Sequence, residues 1–277
     1  MTMNETDNTI FHRDGDRYLP TARASSPWDS RLLHGGSMAG LLAYVLEAHG
    51  DGQMQFVRIT NDLFRPGPLA PIEARVRTVR HGRQVHALEA TLSADGVDFA
   101  RAAALQLRPT PIDLPAHAQP SSEHPPGPQD LPTVGFLGKR DPSKPPPPGL
   151  NAAMEMRLVS GFQFKGEGCA WMRLAAPFMD GEPASPLVHM GVLSDMGNGL
   201  GQIYLGGQAA CINADISLNL LRLPRSEWVC LESVTQLGHH GLGTVCTRFY
   251  DTEGPIGQVM QSQVARLLAP ARRPEAG

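Results

Sequence analysis

Two proline-rich runs in the middle of the chain divide it, because neither a helix nor a central strand can persist through them. The runs PSSEHPPGPQDLP and DPSKPPPPGL both lie within residues 109–150. Proline has no backbone N–H and fixes its own φ angle. We therefore predict an exposed connector at 109–150 between an N-terminal unit, residues 1–108, and a C-terminal unit, residues 151–277. The apolar middle of the connector, TVGFLGKR, is expected to dock on a folded unit.

The first unit is predicted to be one helix followed by four strands. In HGGSMAGLLAYVLEAHG, residues 34–50, the apolar residues recur at helical spacing and Gly50 stands where a helix ends. Strand-like runs follow, separated by turns at Arg80-His81-Gly82-Arg83 and Ala94-Asp95-Gly96. This order predicts an antiparallel sheet packed on a single helix.

The second unit repeats this order. A helix is predicted in VLSDMGNGLGQIYL, residues 192–205, and strand-like runs follow it. A shift of 157 residues places Ile59 on Ile216 and Gly40 on Gly197. A period of this length indicates a duplicated domain and not a solenoid of short repeats.

Composition limits the class of protein. Hydrophobic residues make up 41% of the chain and charged residues 18%, with a formal net charge of -3. This balance is typical of a soluble globular protein, and weak acidity gives no general attraction to nucleic acid or to anionic membranes. The chain has no apolar run long enough to cross a bilayer, and its polar N-terminus does not resemble a signal peptide. The four cysteines lack CxxC spacing, so we expect buried thiols in a reducing cytoplasm.

Several pieces of both units resemble one known family, the acyl-CoA thioesterase II proteins. In the first unit these are HGGSMAGLLA, NDLFRPG and a strand pair that turns at HGR. In the second they are LSDMG, NADISLNLLRLP and MQSQVAR. The resemblance implies an α+β fold of the double-hotdog type, in which each half is a central helix wrapped by an antiparallel sheet. It also implies a thioester hydrolase of fatty acid metabolism that acts on acyl-CoA without a cofactor. A tandem chain can work as a monomer, although members of the family often form homo-oligomers.

The resemblance places the catalytic residues in the second unit. Carried over by position they are Asp195, Asn213 and Gln261, where Asn213 replaces the usual threonine or serine. Asp195 could accept a proton from the attacking water, and the two amides could fix the direction of that water. Gln263 competes with Gln261 for the same role. We expect backbone N–H groups at 191–194, the anticipated start of the central helix, to stabilise the oxyanion.

The first unit offers a second candidate, His34-Gly35-Gly36, directly before its helix. Glycine permits close approach of backbone N–H groups to a carbonyl oxygen, and His34 could contact substrate or act as a base. However, the shift that relates the two units puts Met38 at the place of Asp195, so this unit lacks the carboxylate. We therefore expect the HGG segment to be a structural turn or to line the substrate channel, with one active centre per chain.

Arg65 and Arg222, at strand ends, are candidates for pairing with the phosphates of coenzyme A, although solvated arginines explain them equally well. No histidine pair has metal-ligand spacing, so no metal is expected. Two other functions stay open. One is a hotdog protein that binds acyl-CoA without turnover. The other is a hydratase-like enzyme that would use His189 with Asp195.

Overall fold

The computed structural model describes residues 8–119, 121–135 and 149–267, which form a helical layer enclosed by one antiparallel sheet. The helices are α1 (Gly35–His49), α2 (Pro186–Leu193) and α3 (Met196–Leu200). The strands are β1 (Phe11–Asp14), β2 (Arg17–Pro20), β3 (Gln55–Leu63), β4 (Ile72–His81), β5 (Val85–Ala94), β6 (Val97–Leu107), β7 (Thr133–Val134), β8 (Met154–Gly161), β9 (Glu167–Leu174), β10 (Ala209–Asn213), β11 (Asp215–Leu220), β12 (Val229–Leu237), β13 (Leu242–Asp251) and β14 (Gly254–Leu267).

The strand order reflects the repeat predicted from the sequence. Along the sheet it is β1-β2-β4-β5-β6-β3-β11-β14-β13-β12-β9-β8-β7, with β10 added beside β14. The shift that places Ile59 on Ile216 also places the first residues of β4, β5 and β6 on those of β12, β13 and β14, respectively. The predicted turns at Arg80-His81-Gly82-Arg83 and Ala94-Asp95-Gly96 join β4 to β5 and β5 to β6. The sheet of each half therefore has the same plan, as the sequence shift indicates.

The two halves meet at the middle of the sheet and between the helices. Strand β3 pairs with β11, where Thr60 lies opposite Ser217. Helices α1 and α2 run antiparallel, since the start of α1 lies beside Asp195 and the Ser185 hydroxyl at the start of α2 donates to Glu47 near the end of α1, at 2.6 Å. One hydrophobic core contains buried residues of both halves. The halves are therefore packed as one body.

Glycines allow the two helices to approach closely. A Cβ atom on Gly40 would lie 2.7 Å from Val192 Cγ2, and one on Gly191 would lie 2.9 Å from the Ala39 carbonyl oxygen. Such distances are shorter than carbon contacts in packed cores. Any larger residue at either position would push the helices apart.

The helix predicted at 192–205 is displaced and broken. It begins earlier, at Pro186, because Ser185 caps its first turn by accepting the Val188 N–H at 3.2 Å. It ends at Leu193, and the short α3 follows after Asp195, contains Gly197 and Gly199, and ends at Leu200 with Gly201 as its C-cap. When the starts of α1 and α2 are aligned, the position equivalent to Asp195 is Tyr44 and not Met38. Neither residue is a carboxylate.

The described part of the connector lies against the second half. The Trp171 indole N–H donates to the Pro126 carbonyl at 2.6 Å, and Arg157 Nη1 donates to the Pro128 carbonyl at 2.6 Å. Thr133–Val134 then joins the sheet edge as β7 beside β8. The expected docking of TVGFLGKR is seen for these two residues, and 136–140 lie outside the described residues.

The four cysteines are free thiols. Cys169 and Cys230 are buried under the connector with their sulfur atoms 3.6 Å apart, and Cys211 and Cys246 are partly exposed. No helix of the described residues is long and apolar enough to span a bilayer.

Candidate active site

Asp195 is the centre of a polar cluster at the junction of the two halves. It lies between α2 and α3 and is only 9% exposed. Its Oδ1 atom accepts the side-chain N–H groups of Asn213 at 2.8 Å and of Gln261 at 3.4 Å. Its Oδ2 atom lies 3.1 Å from Nδ1 of His34. The structure thus brings the three residues singled out in the second half onto one carboxylate, together with a histidine of the first half.

The two glutamines of β14 have different partners. Both are buried, and Gln261 reaches Asp195 whereas Gln263 donates from Nε2 to Asn213 Oδ1 at 3.1 Å. Gln263 therefore orients Asn213, whose Nδ2 then faces Asp195. Within the described residues, the Oε1 atoms of both glutamines are buried without a hydrogen-bond partner. A buried acceptor without a hydrogen-bond partner needs an explanation. At Gln261 this acceptor belongs to a side chain of the polar cluster around Asp195.

His34 has two contacts that compete for one nitrogen. It is the N-cap residue of α1, and its Nδ1 accepts the Gly36 N–H at 2.9 Å while lying 3.1 Å from Asp195 Oδ2. When Nδ1 holds a proton it donates to Asp195, and when it does not it accepts the Gly36 N–H. The position of one proton therefore decides which contact is a full hydrogen bond. Sequence reasoning placed His34 near substrate but missed its contact with Asp195.

The two glycines after His34 let the first half approach the carboxylate. A Cβ atom on Gly35 would lie 2.5 Å from Asp195 Oδ2, and one on Gly36 would lie 2.8 Å from the Val192 carbonyl oxygen. The start of α1 is therefore in contact with Asp195, and the helix dipole favours negative charge there.

The expected oxyanion donors at 191–194 are a wrong prediction. This segment is the last turn of α2 and not the start of a helix, and the Ser194 N–H is already donated to the Met190 carbonyl at 2.9 Å. The helix that begins beside Asp195 is α1. The error follows from placing the start of the second helix too late, at Val192 instead of Pro186.

The two arginines proposed for phosphate binding differ in their surroundings. Arg65 is exposed in the segment between β3 and β4. Arg222 instead forms a two-point ion pair with Asp251, both contacts at 2.6 Å, and the Asp251 side chain is fully buried. Although burial raises it, the hydrogen bonds from Arg222 and from the backbone N–H groups of Arg225 and Glu253 lower the pKa of Asp251 to about 2. The ion pair with the buried Asp251 therefore explains the position of Arg222 without a phosphate.

The surroundings of His189 do not suit it for the proton transfer that a hydratase would need. It is buried in α2, and burial lowers its pKa to about 4. Its Nε2 atom accepts the backbone N–H of Leu174 in β9 at 3.3 Å. This neutral ring links α2 to the sheet. In the part of the chain that the structure describes, no three potential metal ligands lie together.

Comparison with known proteins identifies the family. The model of the acyl-CoA thioesterase C-terminal domain matches residues 119–265, and that of the N-terminal domain matches residues 24–107. The chain therefore belongs to the acyl-CoA thioesterase family, a family of thioester hydrolases. Comparison with the curated proteins gives no match.

Solved structures with the same fold cover nearly the whole chain. A protein assigned as a thioesterase II from Thermobifida fusca has 17% identity and a TM-score of 0.71, over 96% of this chain and 99% of that one. A hot dog fold protein from Alicyclobacillus acidocaldarius has 18% identity and a TM-score of 0.68, over 96% and 98%. Acyl-CoA thioesterase II TesB2 from Mycobacterium marinum has 16% identity and a TM-score of 0.63, over 94% and 97%. At these identities the likeness concerns the fold, which is an α+β hotdog fold.

Proposed function

We propose that this protein hydrolyses acyl-CoA thioesters with a water molecule oriented by Asp195, Asn213 and Gln261. The observation that carries the proposal is the convergence of two amide N–H groups on one oxygen of a buried carboxylate. Two amide donors hold Oδ1, so we assign the proton from water to Oδ2, which receives no donor from His34 when Nδ1 accepts the Gly36 N–H. Asn213 stands where the family resemblance implies a hydroxyl residue, and its Nδ2 supplies the donor that the hydroxyl would supply.

In the proposed reaction, Asp195 takes a proton from water as the water oxygen attacks the thioester carbon. Negative charge develops on the carbonyl oxygen, and we assign to it the first-turn N–H groups of α1 other than that of Gly36, which is donated to His34. When the intermediate collapses, the carbon–sulfur bond breaks and the thiolate takes up the proton. The products are a carboxylic acid and coenzyme A.

We further propose that the chain is a double hotdog with a single active centre. Its N-terminal hotdog is residues 1–108, its connector is 109–150, and its C-terminal hotdog is 151–277. The shift that aligns equivalent strands places Phe56 and Ala104 of the first half on Asn213 and Gln261. Neither side chain can orient water. The first half contributes His34 and the start of α1 to the one site, which explains why the halves differ in their polar residues.

Release of free thiol from a panel of acyl-CoA substrates of different chain length tests the proposal. We expect thiol release well above the rate without protein for at least one chain length. Tight binding of acyl-CoA with no release of thiol would instead indicate a protein that binds the ligand without turnover. Addition of water to an enoyl-CoA without release of thiol would indicate a hydratase.

His34 is expected to act on turnover and not only as a helix cap. Asparagine is a good N-cap residue, so His34→Asn keeps the cap of α1 but removes the imidazole beside Asp195. We expect kcat to fall by about tenfold or more in both His34→Asn and His34→Ala. Only His34→Ala should lose stability, by about 1 kcal/mol, measured by urea denaturation. Full activity in His34→Asn would reduce His34 to a capping residue.

A further inference from the structure

A bulge in the second half turns Asn213 toward Asp195. Against β14, Asn213 lies opposite Gln263, whereas Ser217 lies opposite Met260. Three residues, 214–216, therefore face two residues of β14, which is the pattern of a β-bulge. Because of the extra residue, Asn213 and the fully buried Ile216 both face inward although they are three positions apart.

Asp215 holds this bulge together with its side chain. Its Oδ1 atom accepts the backbone N–H of Ser262 at 2.7 Å, and its Oδ2 atom accepts the Ser217 hydroxyl at 3.1 Å. On the other side of the bulge, the Ala214 N–H donates to the Ser262 carbonyl at 2.9 Å. The carboxylate thus replaces the backbone acceptor that a regular ladder would offer to Ser262.

The first half has the same bulge without the carboxylate. In β3, Phe56 lies opposite Gln106 and Arg58 opposite Leu105, so Val57 is the extra residue. The shift between the halves places this bulge on the second one. There the inward residue is the buried Phe56, which packs in the core, and Arg58 stands where Asp215 stands in the second half. The bulge belongs to the scaffold, but its carboxylate brace is found beside the polar cluster.

The position of Asp215 is unfavourable for the sheet itself. Asp215 lies directly opposite Asp62 of β3, and like charges facing each other across strands are destabilising. Arg101, which pairs with Asp62 at 2.7 Å, offsets part of this repulsion. The presence of a carboxylate opposite Asp62 is better explained by the bulge that Asp215 holds in shape than by a gain in the stability of the sheet.

We propose that Asp215 is a positioning residue for thioester hydrolysis that acts through Asn213, and this inference rests on the proposed function. A slip of β10 by one residue into regular pairing would reverse the face of every side chain in that strand. Ile212, now exposed, would turn inward and Asn213 would turn away from Asp195. The hydrogen bonds of Asp215 oppose that slip.

A double-mutant cycle with Asn213 tests this role. We expect Asp215→Ala to lower kcat by about tenfold, because small displacements of orienting groups cost large factors in rate. In an Asn213→Ala background the same substitution should change kcat by less than about twofold, since the residue that it positions is gone. Asp215→Asn keeps an acceptor for the Ser262 N–H and should stay within about threefold of the wild type. If Asp215→Ala instead lowered kcat through a general loss of structure, it would lower kcat in the Asn213→Ala background as well.

The control is Arg58→Ala, at the equivalent position of the first bulge, which should leave kcat unchanged. If Asp215→Ala does not fold, Ser217→Ala replaces it in the cycle, with a smaller loss of kcat that also disappears in the Asn213→Ala background. Equal losses of kcat in both backgrounds, or no loss of kcat in a folded Asp215 variant, would overturn the role of Asp215 and leave the proposed function untouched. If Asn213→Ala itself keeps full turnover, the proposed water-orienting set fails first.

Discussion

Asp195→Ala is expected to lower kcat for acyl-CoA hydrolysis by at least about 100-fold, which is the lower end of what a positioned proton acceptor contributes. Asn213, Gln261 and His34 all contact this carboxylate, so its loss removes both the proton acceptor and the group on which the amides are aligned. Thiol release under saturating substrate measures the effect. Turnover equal to that of the wild type would remove Asp195 from the mechanism.

Stability should not follow activity when only the charge of Asp195 is removed. A carboxylate that is 9% exposed is held by neutral amides and an imidazole, and burying a charge with such partners is unfavourable. We therefore expect the Tm of Asp195→Asn, whose amide oxygen can still accept the N–H groups of Asn213 and Gln261, to equal or exceed that of the wild type. Asp195→Ala leaves those two buried donors without an acceptor and should have a lower Tm than Asp195→Asn. Asp98→Ala is a suitable control, because Asp98 forms only an exposed ion pair with Arg75 and should leave both quantities unchanged.

Most of the sheet could be predicted from the sequence because hydrophobic alternation and turn residues are local features. The hairpins of β4, β5 and β6 turn at the predicted positions, and the 157-residue shift relates them to β12, β13 and β14 of the second half. Helix α1 was placed within one residue for the same reason, since its apolar periodicity is uninterrupted. The second helix was misplaced because its start depends on the pair Ser185-Pro186, and because the break between α2 and α3 at Ser194-Asp195 leaves no sign in the apolar spacing.

The candidate site could be predicted only in part, because its geometry depends on contacts between distant segments. Position along the family pattern selected Asp195, Asn213 and Gln261 as candidates, and the structure places their side chains together. The pattern could not show that His34 meets Asp195 across the junction of the halves, since this contact arises from the antiparallel packing of α1 and α2. The inward direction of Asn213 depends on a bulge, which simple alternation along the strand does not reveal.

The surroundings of Arg222 could not be predicted for a similar reason. A strand-end arginine is as suited to a phosphate as to a carboxylate, and the sequence does not show which one it meets. In the structure its partner is Asp251, at the end of β13.

Arg222→Ala is accordingly expected to destabilise the fold by about 3–5 kcal/mol, which is typical when one partner of a buried ion pair is removed and the other stays buried. Urea denaturation at pH 7 measures this loss. The pKa of Asp251 is lowered to about 2, so its pairing stabilises the fold above the ordinary carboxyl pKa and is lost as the pH falls toward 2. The difference in unfolding free energy between wild type and Arg222→Ala should therefore shrink in that range.

Arg225→Ala is the matched control for the loss of charge. Arg225 pairs with Glu253 at an exposed site, so its removal should cost no more than about 1 kcal/mol. Activity measured per folded molecule separates the two roles of Arg222. If its role is structural, KM for acyl-CoA stays near the wild-type value in the folded fraction, since the guanidinium is already held by Asp251. A raised KM with unchanged stability would mean that Arg222 binds the substrate phosphates and that Asp251 does not depend on it.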